Sequence, residues 1–358
     1  MDQTVEKMGM LDLMVRPGFC VRDNRIVKAN HLAQSLQIAV GEDVRTLLVT
    51  GAEEYAAFTE GCLYLTISVS GQVYGVSVTR MDPYHVFIFE QDADRSELQA
   101  MALAARELRE PLTSVMTTAD RLFPMEALRD DPQTREQVAR INRGLLQMLR
   151  VISNMSDAQQ YAAQLPSRQE TQDVCAILSE VFRHAGQLIS HGDITLTFRN
   201  LESPVYCLVD QEKLERAVLN ILSNAIKFTP KGGSIEASLT RRKNMLYLQI
   251  QDSGSGIAEN LRGNIHSRYL RQPAIEDGRF GIGLGMVLIR SAAACHGGTV
   301  LIDQPEGAGT RVTMTIAIRQ NTDSMMRSPI LRVDYAGERD HGLLELSDTL
   351  PASLYEIN

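Results

Sequence analysis

The sequence predicts an α+β protein of several domains, in which a helical hairpin separates two units that mix strands and helices. Alternating strand-like runs and turn residues fill the N-terminal part. Two long stretches with apolar residues three and four apart follow, as in helices that pack side by side. A third stretch combines an amphipathic helix, alternating strands and two glycine clusters. We therefore expect domains over residues 9–92, 93–160 and 170–318, and a C-terminal tail over 319–358.

Composition narrows the class of protein. Of 358 residues, 44% are hydrophobic and 22% are charged, which is ordinary for a soluble globular protein. The formal net charge of −8 argues against general binding of nucleic acid or of an anionic membrane. The five cysteines are scattered, which favours reduced thiols, and no apolar run reaches the ~20 residues of a membrane helix. We expect a cytoplasmic protein with no membrane span and no nucleic-acid partner.

The N-terminal unit begins with a strand, an Asp23-Asn24 turn and a second strand, which predicts a hairpin. Two helical stretches and three strands are then expected, at His31–Leu36 and Val44–Leu48, and at Leu63–Val69, Val73–Thr79 and His85–Glu90. This order resembles a PAS-like α/β sensory domain. A small α+β dimerisation domain without a ligand explains the pattern equally well.

The two helices of the second unit each carry an apolar seam. The seam residues are Leu98, Met101, Ala105, Leu108, Leu112, Val115, Ala119 and Leu122, and then Val138, Ile141, Leu145, Met148, Ile152 and Met155. A turn is expected over Phe123–Pro132. One hairpin cannot cover both of its seams, so residues 93–160 predict a homodimer with a four-helix bundle. Leu108, Leu112, Leu145 and Met148 are expected core contacts. The alternative is a hairpin that packs only on its neighbouring domains.

The third unit contains a helix that starts at Asp210, a good N-cap, and stops before Pro230. Asn220, Asn224 and Lys227 fall within about 60° of each other on one face of that helix. Two amides and an ammonium group can supply oxygen to Mg²⁺ and charge to phosphates. A plain solvated face is the alternative.

Two glycine clusters favour the phosphate-binding interpretation. Asp252 ends an alternating strand-like run and is followed by Gly254 and Gly256, which allow unusual backbone angles. A second cluster over 278–285 leads into a helix-like stretch, so its backbone N–H groups can face phosphate. Each cluster alone is a weak signal and is compatible with ordinary turns.

In this order the motifs resemble the ATP-binding domain of histidine kinases, which is related to gyrase-type ATPases. The resemblance implies a two-layer α/β sandwich over 170–318 with ATP and Mg²⁺ as ligands. It implies that Asn220 and Asn224 hold Mg²⁺, that Lys227 faces phosphate and that Asp252 accepts from the adenine amino group. The glycines it assigns to the site are Gly254 and Gly256 beside Asp252, and Gly281, Gly283 and Gly285 in the lid. His266 and Tyr269 stand where the family has a pair of phenylalanines.

The first hairpin helix contains Ala105-Arg-Glu-Leu-Arg-Glu-Pro-Leu, which resembles the phosphoacceptor motif His-Glu-Leu-Arg-x-Pro-Leu of the same family. Glu107 matches its acid/base position and Pro111 its proline. Arg106 replaces the acceptor histidine, and a guanidinium offers no lone pair to a γ-phosphate. Glu110 replaces a Thr or Asn that assists dephosphorylation. The seven histidines all lie outside both hairpin helices: His31, His85, His184, His191, His266, His296 and His341.

Three functions fit these features. The first is a nucleotide-controlled signalling dimer that has lost self-phosphorylation. The second is an active kinase that phosphorylates a histidine of a partner protein in a phosphorelay, and the third is an ATP-binding interaction module. Expected partners are a second copy of the chain, a response-regulator receiver domain or a partner kinase. The tail predicts either disorder or docking through its apolar stretches at 329–335 and 342–348.

Overall fold

A computed structural model describes the chain in segments that cover most of it. They are residues 11–12, 14, 16–89, 93–122, 132–162, 169–201, 203–256, 284–305, 309–319 and 339–356. The predicted α+β class is confirmed, since helices and mainly antiparallel strands alternate along the chain.

The N-terminal domain is a five-stranded antiparallel sheet with two short helices. Its elements are β1 (Gly18–Arg22), β2 (Arg25–Ala29), α1 (His31–Ser35), α2 (Ala52–Ala56), β3 (Cys62–Val69), β4 (Gln72–Met81) and β5 (Tyr84–Phe89). Asp23 and Asn24 have positive φ angles of 51° and 62°, as a two-residue hairpin turn requires. The predicted hairpin is therefore present. The second expected helical stretch is a single 3₁₀ turn at Val44–Thr46.

The second unit is a pair of long antiparallel helices, α3 (Ala93–Leu122) and α4 (Pro132–Ala162). Ten of the fourteen predicted seam residues fall into a buried and an exposed group. Ala105, Leu112, Val138, Leu145 and Ile152 are buried within one chain, whereas Leu108, Val115, Leu122, Ile141 and Met148 are exposed. The predicted turn at 123–131 lies outside the described residues. Among the described helices, none is both long and apolar enough to cross a membrane.

The third unit packs three helices on a mixed sheet. Its elements are β6 (Glu170–Asp173), α5 (Val174–Ile189), β7 (Thr195–Arg199), β8 (Tyr206–Val209), α6 (Gln211–Phe228), β9 (Ser234–Arg242), β10 (Met245–Asp252), α7 (Gly285–Cys295), β11 (Val300–Asp303) and β12 (Arg311–Ala317). The sheet order is β11-β12-β10-β9-β7, and β6 pairs separately with β8. The strands of this unit alternate buried and half-exposed residues because helices cover only one face.

The sheets of the N-terminal domain and of the third unit join through β3 and β11, which pair in antiparallel register. The order of the combined ten-stranded sheet is β2-β1-β5-β4-β3-β11-β12-β10-β9-β7. Gly61 precedes β3 with a φ of +91°, and a Cβ there would lie 2.3 Å from the carbonyl oxygen of Ile302. Only glycine accommodates that backbone approach.

The C-terminal segment, residues 339–356, folds back onto the hairpin and the third unit. It contains α8 (His341–Glu345) and a 3₁₀ turn at Ala352–Tyr355. Its buried apolar residues are Leu344, Leu346, Leu350 and Tyr355. Of the two expectations for the tail, docking is the one that this segment shows. The other apolar stretch, at 329–335, lies outside the described residues.

Candidate functional site

The predicted polar face lies on α6, a helix with well-defined ends. The Asp210 side chain accepts a hydrogen bond from the N–H of Lys213 at 3.2 Å and so caps the first turn. Asn220 is only 2% exposed, and Asn224 and Lys227 are half-buried one and two turns further along. A buried amide needs hydrogen-bond partners, so this face is not simply solvated.

Asp252 lies at the end of β10, beside the C-terminal end of α6. Its side chain is largely buried. Its Oδ1 accepts from the N–H groups of Gly254 at 2.8 Å and of Thr310 at 3.1 Å. Burial raises the pKa of this carboxyl group, while those two N–H donors act in the opposite direction. The arrangement is a fixed, desolvated acceptor at the C-terminal end of an inner strand.

Three of the predicted glycines lie in tightly packed positions of the described part of the site. A Cβ on Gly254 would lie 2.4 Å from the carbonyl oxygen of Phe228, the last residue of α6. Gly256 has a φ of +72°. Gly285 begins α7, and a Cβ there would lie 3.1 Å from Oδ1 of Asn220. The other two predicted glycines, Gly281 and Gly283, lie outside the described residues, as do His266 and Tyr269.

The Asn220 end of this face is covered by a cluster that joins three parts of the chain. Glu345 of α8 is fully buried and accepts from Arg150 of α4 at 3.1 Å and from Arg216 of α6 at 2.9 Å. The Asn220 amide nitrogen lies 3.3 Å from Glu345 Oε2, and its Oδ1 accepts from Arg150 at 3.3 Å. Arg216 also pairs with Asp157 of α4. We call Arg150, Arg216, Asn220 and Glu345 the buried ionic cluster.

Lys227 is held by the same C-terminal segment. Its ammonium group lies 3.1 Å from Oδ2 of Asp348, which also accepts from Arg150 at 2.7 Å. Burial lowers the pKa of Lys227, and the neighbouring Asp348 carboxylate counteracts this effect. Lys227 is therefore a partly desolvated cation with a carboxylate as its partner.

These contacts decide which ligands fit the site in this conformation. The metal end cannot hold Mg²⁺ as it stands, because Oδ1 of Asn220 faces the guanidinium of Arg150. Two like charges at hydrogen-bond distance from one oxygen repel each other strongly.

Four residues of this site were not predicted from the sequence: Arg150, Arg216, Glu345 and Asp348. Arg216 lies four residues before Asn220, on the same face of α6, which was a usable signal. The alternation of Leu344, Glu345, Leu346 and Asp348 also indicated a segment with one apolar and one acidic side. No local sequence pattern indicated that these four side chains contact one another in the folded chain.

The predicted phosphoacceptor motif lies on the surface of α3. Arg106, Glu107 and Pro111 are exposed, and the helix continues through Pro111. An acceptor at position 106 would thus be accessible to another domain. The occupant of that position is an arginine.

Comparison with known proteins identifies the family to which this architecture belongs. A family model described as the histidine kinase-, DNA gyrase B- and HSP90-like ATPase matches residues 209–320. A second, described as the His Kinase A (phospho-acceptor) domain, matches residues 96–163. The chain belongs to the sensor histidine kinase family. The two matches cover the hairpin and residues 209–320 of the third unit, which is called the ATPase domain below.

Relatives and solved structures agree with this membership. A sensor-like histidine kinase of Rhizobium meliloti is 29% identical over 277 residues, which cover 73% of this chain and 52% of the relative. The sensor histidine kinase WalK of Bacillus subtilis is 30% identical over 129 residues, 35% of this chain and 21% of the relative. The chain thus spans about half or less of these relatives. The crystal structure of full-length ShkA in complex with AMPPNP shares the fold, with a TM-score of 0.51 and 20% identity over 63% of this chain and 47% of ShkA.

Proposed function

We propose that this histidine kinase homologue is a cytoplasmic signal transduction protein that binds Mg²⁺-ATP but does not phosphorylate itself at the usual position. The N-terminal domain is its PAS-like sensory unit. The observation that carries the proposal is a combination. The ATPase domain has its amide and lysine side chains on one face of α6 and its aspartate at the neighbouring end of β10, while Arg106 occupies the exposed acceptor position.

The nucleotide assignment rests on the geometry around Asp252. A buried carboxylate at a strand end can accept from the amino group of adenine, and Gly254 beside it packs directly on the backbone at the end of α6. From Asp252, the proposed site extends along α6 through Lys227, Asn224 and Asn220 to Gly285 at the start of α7. Phosphates and their Mg²⁺ would lie along that line.

The hairpin supports a homodimer. Five seam residues that recur on one side of each helix remain exposed in the single chain, although they are large and apolar. A second copy of the hairpin presents the same stripe, and pairing the two stripes forms a four-helix bundle. A response-regulator receiver domain is the expected downstream partner.

A second candidate function is an active kinase that phosphorylates a histidine on a partner protein. The observation that favours it is that Glu107 and Pro111 follow the acceptor position, now Arg106, on an exposed face of α3. A heterodimer partner that supplies a histidine could use both residues. Labelling with candidate partners present distinguishes this function from the first.

Nucleotide binding is tested at Asp252. We expect Asp252→Asn to weaken Mg²⁺-ATP binding about a hundredfold or more, because an amide cannot replace a carboxylate that accepts from both the backbone and the adenine amino group. Calorimetric titration measures the effect. Asp193→Asn, an exposed carboxylate of the same domain, is the control and should bind as the wild type does. Equal affinity of Asp252→Asn and wild type would contradict the site assignment.

The acceptor position is tested by restoring the histidine. With γ-labelled ATP and Mg²⁺, the wild-type hairpin should carry no acid-labile phosphate, since the Arg106 guanidinium has no free nitrogen lone pair. Arg106→His should become labelled, because transfer depends largely on a positioned acceptor and charge neutralisation. The double variant Arg106→His with Asp252→Asn is the matched control and should stay unlabelled. A labelled wild-type hairpin would refute the proposed loss of self-phosphorylation.

A further inference from the structure

The C-terminal segment covers the face of α6 that the proposed function assigns to metal and phosphate. It is held on that face by packing as well as by charge. Leu344, Leu346 and Tyr355 are each 0% exposed. Burial of a large apolar side chain contributes about 2 kcal/mol. The segment is thus a docked part of the domain.

The charges of the segment match the site that it covers. Arg150, Arg216 and Lys227 face the carboxylates of Glu345 and Asp348 and that of Asp157 on α4. Among these six groups the charges balance. If the segment undocks and removes Glu345 and Asp348, the four groups that remain carry a net charge of +2 beside Asn220. That excess is suited to the phosphates of a nucleotide.

We propose that the C-terminal segment, residues 339–356, is an intramolecular competitor of the nucleotide, with Glu345 and Asp348 holding the groups that phosphate and its metal ion require. The inference rests on the proposed nucleotide-binding function and adds a mode of regulation to it. Asn220 binds either Glu345 and Arg150 or the metal ion. Lys227 binds either Asp348 or phosphate. Nucleotide binding therefore requires release of the segment.

The same segment also joins the hairpin to the ATPase domain. Asn142 donates to the carbonyl oxygen of Tyr355 at 3.1 Å, and Arg143 and Gln147 donate to that of Ser347 at 2.9 and 3.0 Å. These three donors lie on α4, whereas Asn220 and Lys227 lie on α6. Release of the segment by nucleotide thus also removes a tie between the two units. Nucleotide binding at the site is therefore thermodynamically coupled to release of the hairpin from the ATPase domain.

The first test is the affinity of the full chain for Mg²⁺-ATP when one carboxylate of the segment is neutralised. Asp348→Asn keeps the shape of a partly exposed side chain but removes the partner of Lys227 and one partner of Arg150. We expect nucleotide affinity to rise on the order of tenfold, within the usual range of coupling between two sites. Glu356→Gln is the matched control, since Glu356 is a partly exposed carboxylate of the same segment that follows the 3₁₀ turn and pairs with Arg135 rather than with Lys227. It should bind as the wild type does.

The second test is hydrogen exchange in the wild-type chain with and without saturating Mg²⁺-ATP. The N–H groups of Leu344, Leu346 and Leu350 donate within the segment and are protected while it is docked. Nucleotide should accelerate their exchange. The amides of the β1–β2 hairpin are the internal control and should be unaffected. This measurement needs no variant, so an unfolded variant cannot obscure the result.

The outcomes separate the inference from the proposed function. Higher affinity of Asp348→Asn together with faster exchange in the segment supports both. Normal nucleotide binding with unchanged affinity in Asp348→Asn and unchanged exchange overturns the competitor role and leaves the proposed function intact. If neither wild type nor Asp348→Asn binds Mg²⁺-ATP at millimolar concentration, the proposed function is wrong and the competitor role falls with it.

Discussion

The imidazole of His296 lies where α7 ends, and its two hydrogen bonds define its protonation state. Nε2 is 3.0 Å from the N–H of Asp210, which can only donate, so Nε2 must accept. Nδ1 is 2.7 Å from the carbonyl oxygen of Ala292, which can only accept, so Nδ1 carries the hydrogen. The ring is therefore neutral. It also fixes the residue that caps α6, the helix of the candidate site.

Acid should destabilise the ATPase domain through this ring. Burial lowers the pKa of His296 below its usual value of about 6.5. Below pH 6.5 the unfolded chain therefore binds a proton that the folded chain refuses, and stability falls by at most about 1.4 kcal/mol per pH unit. Urea unfolding followed by circular dichroism at pH 7.5 and 5.5 measures the slope. His296→Gln should reduce the slope, and an identical slope in wild type and variant would refute this role.

The two hairpin helices illustrate what an apolar repeat alone can and cannot predict. The repeat correctly indicated two long helices with more apolar surface than one chain can cover. It did not indicate which members pair within the chain, and Leu112 and Leu145, expected at the dimer contact, are already buried within a single chain. Residues seven apart share a face, but the partner of that face depends on the neighbouring helix.

The exposed stripe of the hairpin should hold two copies together. Leu108 and Met148 are 52% and 50% exposed, so the double change Leu108→Glu with Met148→Glu should leave the chain folded and convert the dimer to a monomer. Sedimentation at micromolar concentration measures the state. Thr117→Glu introduces the same charge about 180° from Leu108 on α3 and should remain dimeric. A wild-type monomer, or a dimer that survives the double change, would contradict this interface.

Local sequence patterns also predicted the α6 side of the candidate site. The spacing of Asn220, Asn224 and Lys227 on one helix is a local property, and so is the run of glycines that ends at Gly285. The buried ionic cluster is not local. Arg150 and Glu345 are 195 positions apart, and no periodicity encodes a contact at that separation. The acidic residues of the C-terminal segment are evident in the sequence, but the surface on which they dock is not.

The junction of β3 with β11 makes the N-terminal domain part of the ATPase sheet. Arg290 of α7 also lies over the ring of Tyr64 on β3, with 5.0 Å between its guanidinium carbon and the ring centre. The helix that follows the predicted lid therefore contacts the N-terminal domain directly. A change in β3 can reach α7 without passing through the hairpin.

Gly61 should be indispensable for this junction. Gly61→Ala places a Cβ against the backbone of β11, whereas Gly71→Ala has nothing within 4 Å and a similar positive φ of +81°. Both changes incur the cost of about 1 kcal/mol for a left-handed non-glycine residue. Only Gly61→Ala should accelerate hydrogen exchange in residues 300–302. Equal exchange in the two variants would show that the close approach at Gly61 does not matter.

A sheet that continues through two domains leaves fewer open edges than two separate sheets would. Within the described residues, β2 and β7 are its outer strands, and β11 is covered on both sides. Separating the two domains would turn β11 and β3 into edge strands, each with unpaired N–H and C=O groups along one side. Exposed edge strands pair with strands of other chains, so an ATPase domain expressed alone should aggregate more readily than the intact protein, in which β3 covers β11.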